Sequence, residues 1–177
     1  PEADQARAQQ LLLRMVATGG ENPAPLRVHF GYTEHGAREL DYPAALNPAM
    51  RAVLMRLVEA RLVVLGFDAG GPYAELAHSA LVRRWPRLRG WLKDKADELA
   101  LRERLYPAAA NWNAQGLQAR NRLQRLRLRG LLWQKDNPDM DRARVALRAD
   151  DSWLNAVEGM FVSYSMVEQT RRERWRW

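Results

Sequence analysis

Residues 47–77 read NPAMRAVLMRLVEARLVVLGFDAGGPYAELA, and the order of signals within them decides the fold class. Asn47-Pro48 sets a favoured N-cap residue before a proline at the first helical position, so a helix starts there. Met50, Val53, Leu54, Leu57 and Val58 then recur at i, i+3, i+4, i+7 and i+8, the stripe of a core-facing amphipathic helix. Arg61 to Leu65 reads as a strand, Gly66 to Pro72 as a turn with three glycines, and Tyr73 to Ala77 as the return strand. The helix therefore runs into a hairpin.

Working outward, Gln5 to Val16 places Ala8, Leu12, Met15 and Val16 on one helical face, and Thr18-Gly19-Gly20 stops it. Leu26 to Phe30 alternates apolar and polar residues, the period of a short half-buried strand. Thr33 caps a short helix through about Leu40, which Tyr42-Pro43 ends because the residue before proline is pushed out of the helical region. Helix, strand, helix, helix and hairpin in this order predict a winged-helix domain over residues 1–85, with three helices and a small β-hairpin wing.

From Ala80 onward the pattern is helical, and the boundary is placed near Trp85-Pro86. Leu88, Trp91, Leu92, Ala96 and Leu99 carry one face of a longer helix, which Pro107 kinks or restarts. Trp112 ends an alanine-rich turn, and Gly116 reads as the residue just past a helix end. Residues 120–133, RNRLQRLRLRGLLW, combine leucines with five arginines in a further helix interrupted near Gly130. Asn137-Pro138-Asp139 is a turn. Trp153, Leu154, Val157, Phe161 and Tyr164 give a last helix before the basic tail Arg171 to Trp177. The expected fold is mainly α, with an all-α helical bundle region over 86–177.

Composition narrows the function. The 177 residues contain no Cys and only three His (His29, His35 and His78), which excludes a disulfide framework, a zinc ribbon, a thiol nucleophile and a His-based metal cluster. No metal site is expected. No stretch approaches the roughly 18 apolar residues of a membrane span, and residues 1–20 lack a secretory pattern. The expected location is cytoplasmic. A chain that opens at Pro1 rather than Met is expected to be a piece of a longer protein. The net charge of +7 nominally suggests a nucleic-acid or membrane-surface partner. Because Ile is absent and only Lys93, Lys95 and Lys135 are lysine, the arginine excess reflects GC-rich codons in part, and that partner ranks second.

No catalytic constellation is found. GxxxxGKS/T, GxGxxG, GxSxG and HExxH are all missing, so the chain alone is not expected to hydrolyse a nucleotide. Thr33-Glu34-His35 resembles a nucleophile beside an acid and an imidazole, but neighbours along one strand or turn do not point at one another. Asp150-Asp151 reads as a cap for the helix carrying Trp153. The tryptophans fall on apolar helix faces and are core, except Trp175 and Trp177 in the tail RRERWRW. As a DNA reader the helix at 47–61 offers Arg51 and Arg56 with little else polar, and the wing tip DAGGPY carries an acid and no base.

Residues 75–92, ELAHSALVRRWPRLRGWL, resemble the end of the winged helix in bacterial STAND NTPases (signal-transduction ATPases with numerous domains, NACHT/NB-ARC-like), whose members read close to VELAHEALLRRWPRLRGWL there. VLMRLVEARLVVL (53–65) is similar to that family's helix and first wing strand. RERLYPAAANWNAQG (102–116) and LRLRGLL (126–132) are similar to its following helical region. The resemblance implies a regulatory relay between an upstream P-loop NTPase domain and a downstream sensor domain of the same chain, with self-association and a defence role as family traits. It implies ADP or ATP for the parent protein and no cofactor held by this stretch alone. His78 matches the family histidine that contacts the β-phosphate of ADP and holds the closed state. The acid that commonly follows is here Ser79, which is expected to cap the helix. Arg83 and Arg84 are expected on a solvated face. The alternatives are a nucleic-acid-binding winged-helix module, also using Arg120 to Arg129, and a structural or oligomerisation scaffold.

Overall fold

Helix α1 (Glu2–Arg14) sends Leu11, Leu12 and Leu13 into the core, and Met15 and Val16 just beyond its end are completely buried. In the computed structural model, residues 2–18, 22–29, 32–33, 36–37, 48–69, 71–118, 122–149 and 152–174 are described. Among them the chain is mainly helical, with eight helices and three small antiparallel sheets. It divides into two compact units, one of residues 1–31 and 38–100, the other of residues 32–37 and 101–177.

In the first unit, strands β1 (Val16–Ala17) and β2 (Ala24–Pro25) pair briefly, and β3 (Val28–His29) supplies the expected short strand. Helix α2 (Pro48–Glu59) starts at the proline as expected and buries Val53, Leu54 and Leu57. It packs against α1, and Asp4 of α1 binds Arg56 of α2 at 3.1 Å and Arg7 at 3.1 Å. Strands β6 (Val63–Asp68) and β7 (Gly71–Leu76) form the hairpin, and β3 joins its free side to give the order β3-β7-β6. The hairpin is longer than expected, because Asp68 pairs with Gly71 and only residues 69–70 remain as a link. Among the described glycines Gly71 has a positive φ, 106°, where a side chain would be strained.

Between β3 and α2 the structure corrects an expectation. Tyr32–Thr33 and Gly36–Ala37 pair as two short antiparallel strands, β4 and β5, where a helix from Thr33 was expected. Tyr and Thr suit a pleated strand, and glycine at 36 weakens a helix. The rest of that expected helix, with the Asn47 cap, lies outside the described residues, as do Glu34 and His35.

After the hairpin come α3 (Ser79–Arg84) and α4 (Pro86–Asp94), joined at Trp85. Trp85 and Trp91 meet edge to face at 6.1 Å and pack on the first core, which reaches on to Leu88 and Leu99. The compact unit thus runs on to Ala100.

Helix α5 (Ala96–Gln118) runs through Pro107 and includes Gly116, so neither residue ends it. An internal proline costs a helix about 3 kcal/mol, and burial of Leu105 and Ala109 on either side of Pro107 offsets it here. Phe161 is the centre of the second core, with Trp133 and Trp112 edge-on to its ring at 5.6 and 5.9 Å. Trp153 packs on the same core, so the five described tryptophans, each partly buried, pack against the two cores. Trp175 and Trp177 lie outside the described residues.

Three more helices complete this unit: α6 (Arg122–Leu131), which runs through Gly130 without interruption, α7 (Met140–Arg148) and α8 (Ala156–Arg174). Trp153 and Leu154 precede α8 rather than belonging to it. Its start is fixed by a reciprocal capping box, Asn155 Oδ1 accepting from the Glu158 N–H and Glu158 Oε2 from the Asn155 N–H, each at 2.8 Å. Asp150-Asp151, the expected cap, lies outside the described residues. Before α7, the buried Asp139 accepts two hydrogen bonds from Arg104 of α5, at 2.5 and 2.7 Å.

Two expectations follow from this packing. A Cβ on Gly66 would lie 2.4 Å from Cζ of Tyr73, whose ring is held by Arg27 stacked 4.0 Å above its centre. Gly66→Ala should therefore destabilise the chain by about 1–3 kcal/mol in urea unfolding. The same change in a Tyr73→Ala background should cost far less, since the clash is gone; equal costs in both backgrounds would show that the ring is not the obstacle. The second concerns acid. The hydrogen bonds from Arg104 hold the Asp139 carboxyl below its ordinary 3.8. Its contribution is fully present above that ordinary value and is lost as pH falls through the lowered one. Arg104→Gln should lower stability at neutral pH by roughly 1–3 kcal/mol and flatten the loss between neutral pH and pH 3 or so, read as urea midpoints at each pH; an unchanged acid limb would assign that loss to other carboxylates.

Candidate functional site

The hairpin delivers His78 to its position. At its base the Ala77 N–H donates to the Leu62 carbonyl at 3.0 Å, closing the ladder one residue beyond the Val63–Leu76 pair. His78 follows in extended conformation (φ −151°, ψ 133°) and is the N-cap of α3. Its carbonyl accepts from the Leu81 N–H at 3.0 Å, and its Nδ1 accepts from the Ala80 N–H at 3.1 Å. The ring itself thus supplies the cap that was expected from Ser79. Ser79 is instead the first helical residue, and its hydroxyl accepts from Arg83 at 3.3 Å.

This arrangement fixes the chemistry of the imidazole. A ring nitrogen that accepts a backbone N–H carries no proton, so the neutral ring bears its proton on Nε2. His78 is exposed, and Nε2 has no partner among the described residues. The side chain is a hydrogen-bond donor held at a defined place and open to an acceptor.

His78 lines an open groove of about 630 Å³ together with Leu62, Ala80, Leu81, Arg84, Trp85 and Pro86. Its floor is apolar, and the polar groups on it are His78 and Arg84. Arg84 is exposed, as expected, but it shares the groove with His78, which sequence reasoning did not bring out. The spacing gave no clue: His78 is the N-cap and Arg84 the last residue of a helix six residues long, and a separation of six does not put two residues on one helical face. Leu62 could not have been foreseen, because only the β6–β7 register brings it there.

The other described histidine does not join this site. His29 sits on the outer face of the sheet, its Nε2 2.9 Å from Oδ1 of Asp68 and its ring edge-on to Tyr73 at 6.0 Å. Arg27 binds the same Asp68 at 2.9 Å and Glu75 at 3.2 Å. The acid at the hairpin tip is therefore engaged within the sheet. Thr33 lies in β4, while Glu34 and His35 are outside the described residues. Among the described residues no group of three or more His, Asp and Glu is placed to hold a metal ion.

No curated protein and no solved structure matches the chain. A family model does: that of Novel STAND NTPase 1 matches residues 1–120, a stretch that contains α1 through α5, the hairpin and the His78 groove. Because the match spans well over half of the 177 residues, the chain belongs to the Novel STAND NTPase 1 family.

Proposed function

We propose that this chain is a regulatory relay of a STAND-type NTPase, coupling the nucleotide state of an upstream P-loop domain to a downstream sensor in the cytoplasm. In this reading residues 1–85 act as a winged helix with β6 and β7 as its wing, and residues 86–177 carry the signal onward. The single observation that carries it is His78: capping α3 through Nδ1 leaves Nε2–H turned to no partner, ready to donate to an anionic oxygen. A docked ADP phosphate is such an acceptor, and a hydrogen bond to a charged group contributes roughly 1.5–3 kcal/mol. That bond exists only in the closed, ADP-bound form, so it biases the equilibrium between closed and open states. The engagement of Asp68 by Arg27 and His29 favours this reading over a wing that grips nucleic-acid phosphates.

His78→Asp tests it. Aspartate is a good N-cap and keeps the acceptor for the Ala80 N–H, so the 177-residue chain should melt as the unaltered one does, whereas His78→Ala should lose about 1 kcal/mol with the cap. In the intact protein, loss of the phosphate bond should multiply the open-to-closed ratio by about 10 to 150, seen as activity or assembly without the trigger. An intact His78→Asp protein that stays silent until triggered would refute the switch role. The 177-residue chain alone should release no phosphate from ATP and show no micromolar ATP binding by calorimetry, because it has no Gly-rich loop with a Lys to cradle phosphates; such binding would contradict the relay reading.

A further inference from the structure

Helix α6 is apolar on two opposite sides. One side is satisfied: Leu128 lies against Gly116, and Leu132 just past the helix end is buried in the second core. The other carries Leu123 and Leu126, which are 70% and 44% exposed, with Gly130 continuing the stripe at i+7. Nothing lies within 4 Å of where a Cβ on Gly130 would stand, so the stripe is an open ridge.

Arginines border that ridge. By helical spacing Arg127 lies on one flank of Leu123 and Leu126 and Arg129 on the other, while Arg125 falls on the side of Leu128 and Leu132. Arg129 reaches Glu168 at 3.9 Å, while Arg125 and Arg127 are exposed without an ion-pair partner among the described residues. No described helix is long and apolar enough to cross a membrane, so this one has the means to lie on a surface but not to span it.

We propose that α6 docks the chain onto an anionic lipid surface, with Leu123 and Leu126 entering the headgroup region and Arg127 reaching the lipid phosphates and carboxylates. Exposed leucines between arginines match the chemistry of such a surface, where the long arginine stems bury beside the leucines and the guanidinium groups stay among the headgroups. A nucleic-acid backbone satisfies the arginines but leaves the leucines in water. A folded acidic partner needs about 800 Å² on each side for a stable complex, more than a ridge of two leucines and a glycine provides. A fluid surface moulds to a ridge of any size, and the net charge of +7 draws the whole chain toward it. This inference is independent of the relay reading.

Sedimentation of the 177-residue chain with vesicles tests it. Binding is expected to vesicles of phosphatidylcholine with phosphatidylserine, to be absent with phosphatidylcholine alone, and to weaken as salt rises. Arg127→Gln should weaken it about fivefold. Leu123→Ser with Leu126→Ser should weaken it roughly tenfold or more even at low salt, because burial of those side chains drives insertion. All three positions are exposed, so both variants should keep the far-ultraviolet dichroism of the unaltered chain; if one does not, the other decides. Absent binding to the anionic vesicles, or binding that the folded variants retain in full, overturns the proposal. Binding to duplex DNA that survives the leucine changes, without vesicle binding, overturns it in favour of a nucleic-acid face.

Discussion

The register of the β6–β7 hairpin is the constraint on which the site depends. Side chains alternate across a strand, so a slip by one residue would turn Ala74 and Leu76 out of the core and Tyr73 and Glu75 into it. Three features prevent that slip. The link at residues 69–70 is too short to absorb an extra residue, Gly66 leaves space for the Tyr73 ring opposite, and Val28 pairs with Ala74 from the third strand. With the register set, Ala77 binds Leu62, and the chain leaves the sheet at His78 beside the residue that floors the groove.

The outer face of the same sheet is polar in a way that reinforces the register. Arg27 stacks on Tyr73 and binds Asp68 and Glu75, so one cation just before β3 spans both hairpin strands. Exposed ion pairs contribute little one by one, but a shared guanidinium that also covers an aromatic ring loses its side-chain entropy once for several contacts. His29 completes the arrangement through Asp68. The apolar and polar faces thus demand the same alignment.

The second unit relies on buried carboxylates satisfied by local partners. Glu158 is fully buried within the capping box of α8, Asp139 is clamped by Arg104, and Glu168 meets Arg129, Arg171 and Arg172. Each links a helix end or a helix face to a neighbour, which is where charge is tolerated inside a protein. Around them Phe161, Trp112 and Trp133 fill the core edge to face. Helix α6 turns Leu123 and Leu126 away from this core with arginine beside them, which makes it a candidate interface.

The sequence by itself determined the elements whose signals are local. Asn47-Pro48 and the spacing from Met50 to Val58 placed α2, the alternation around Val28 placed β3, and the string at 75–92 pointed to the family and to His78. Those signals act within a turn or two of chain, where capping, proline and periodicity are the physics. Tertiary structure alone decided the rest. It carried α5 through Pro107, because burial on both sides outweighs a missing hydrogen bond, and it set two strands at Thr33 and Gly36 where a helix had been expected. The NAVE box at Asn155 was present in the sequence, yet its role showed only once Trp153 proved to lie outside the helix. The choice of His78 rather than Ser79 as cap, and with it the proton on Nε2, depends on a ring orientation that spacing does not encode. The groove shared by Leu62, His78 and Arg84 exists because the ladder brings residue 62 beside residue 77, a pairing distant in the chain and fixed by register.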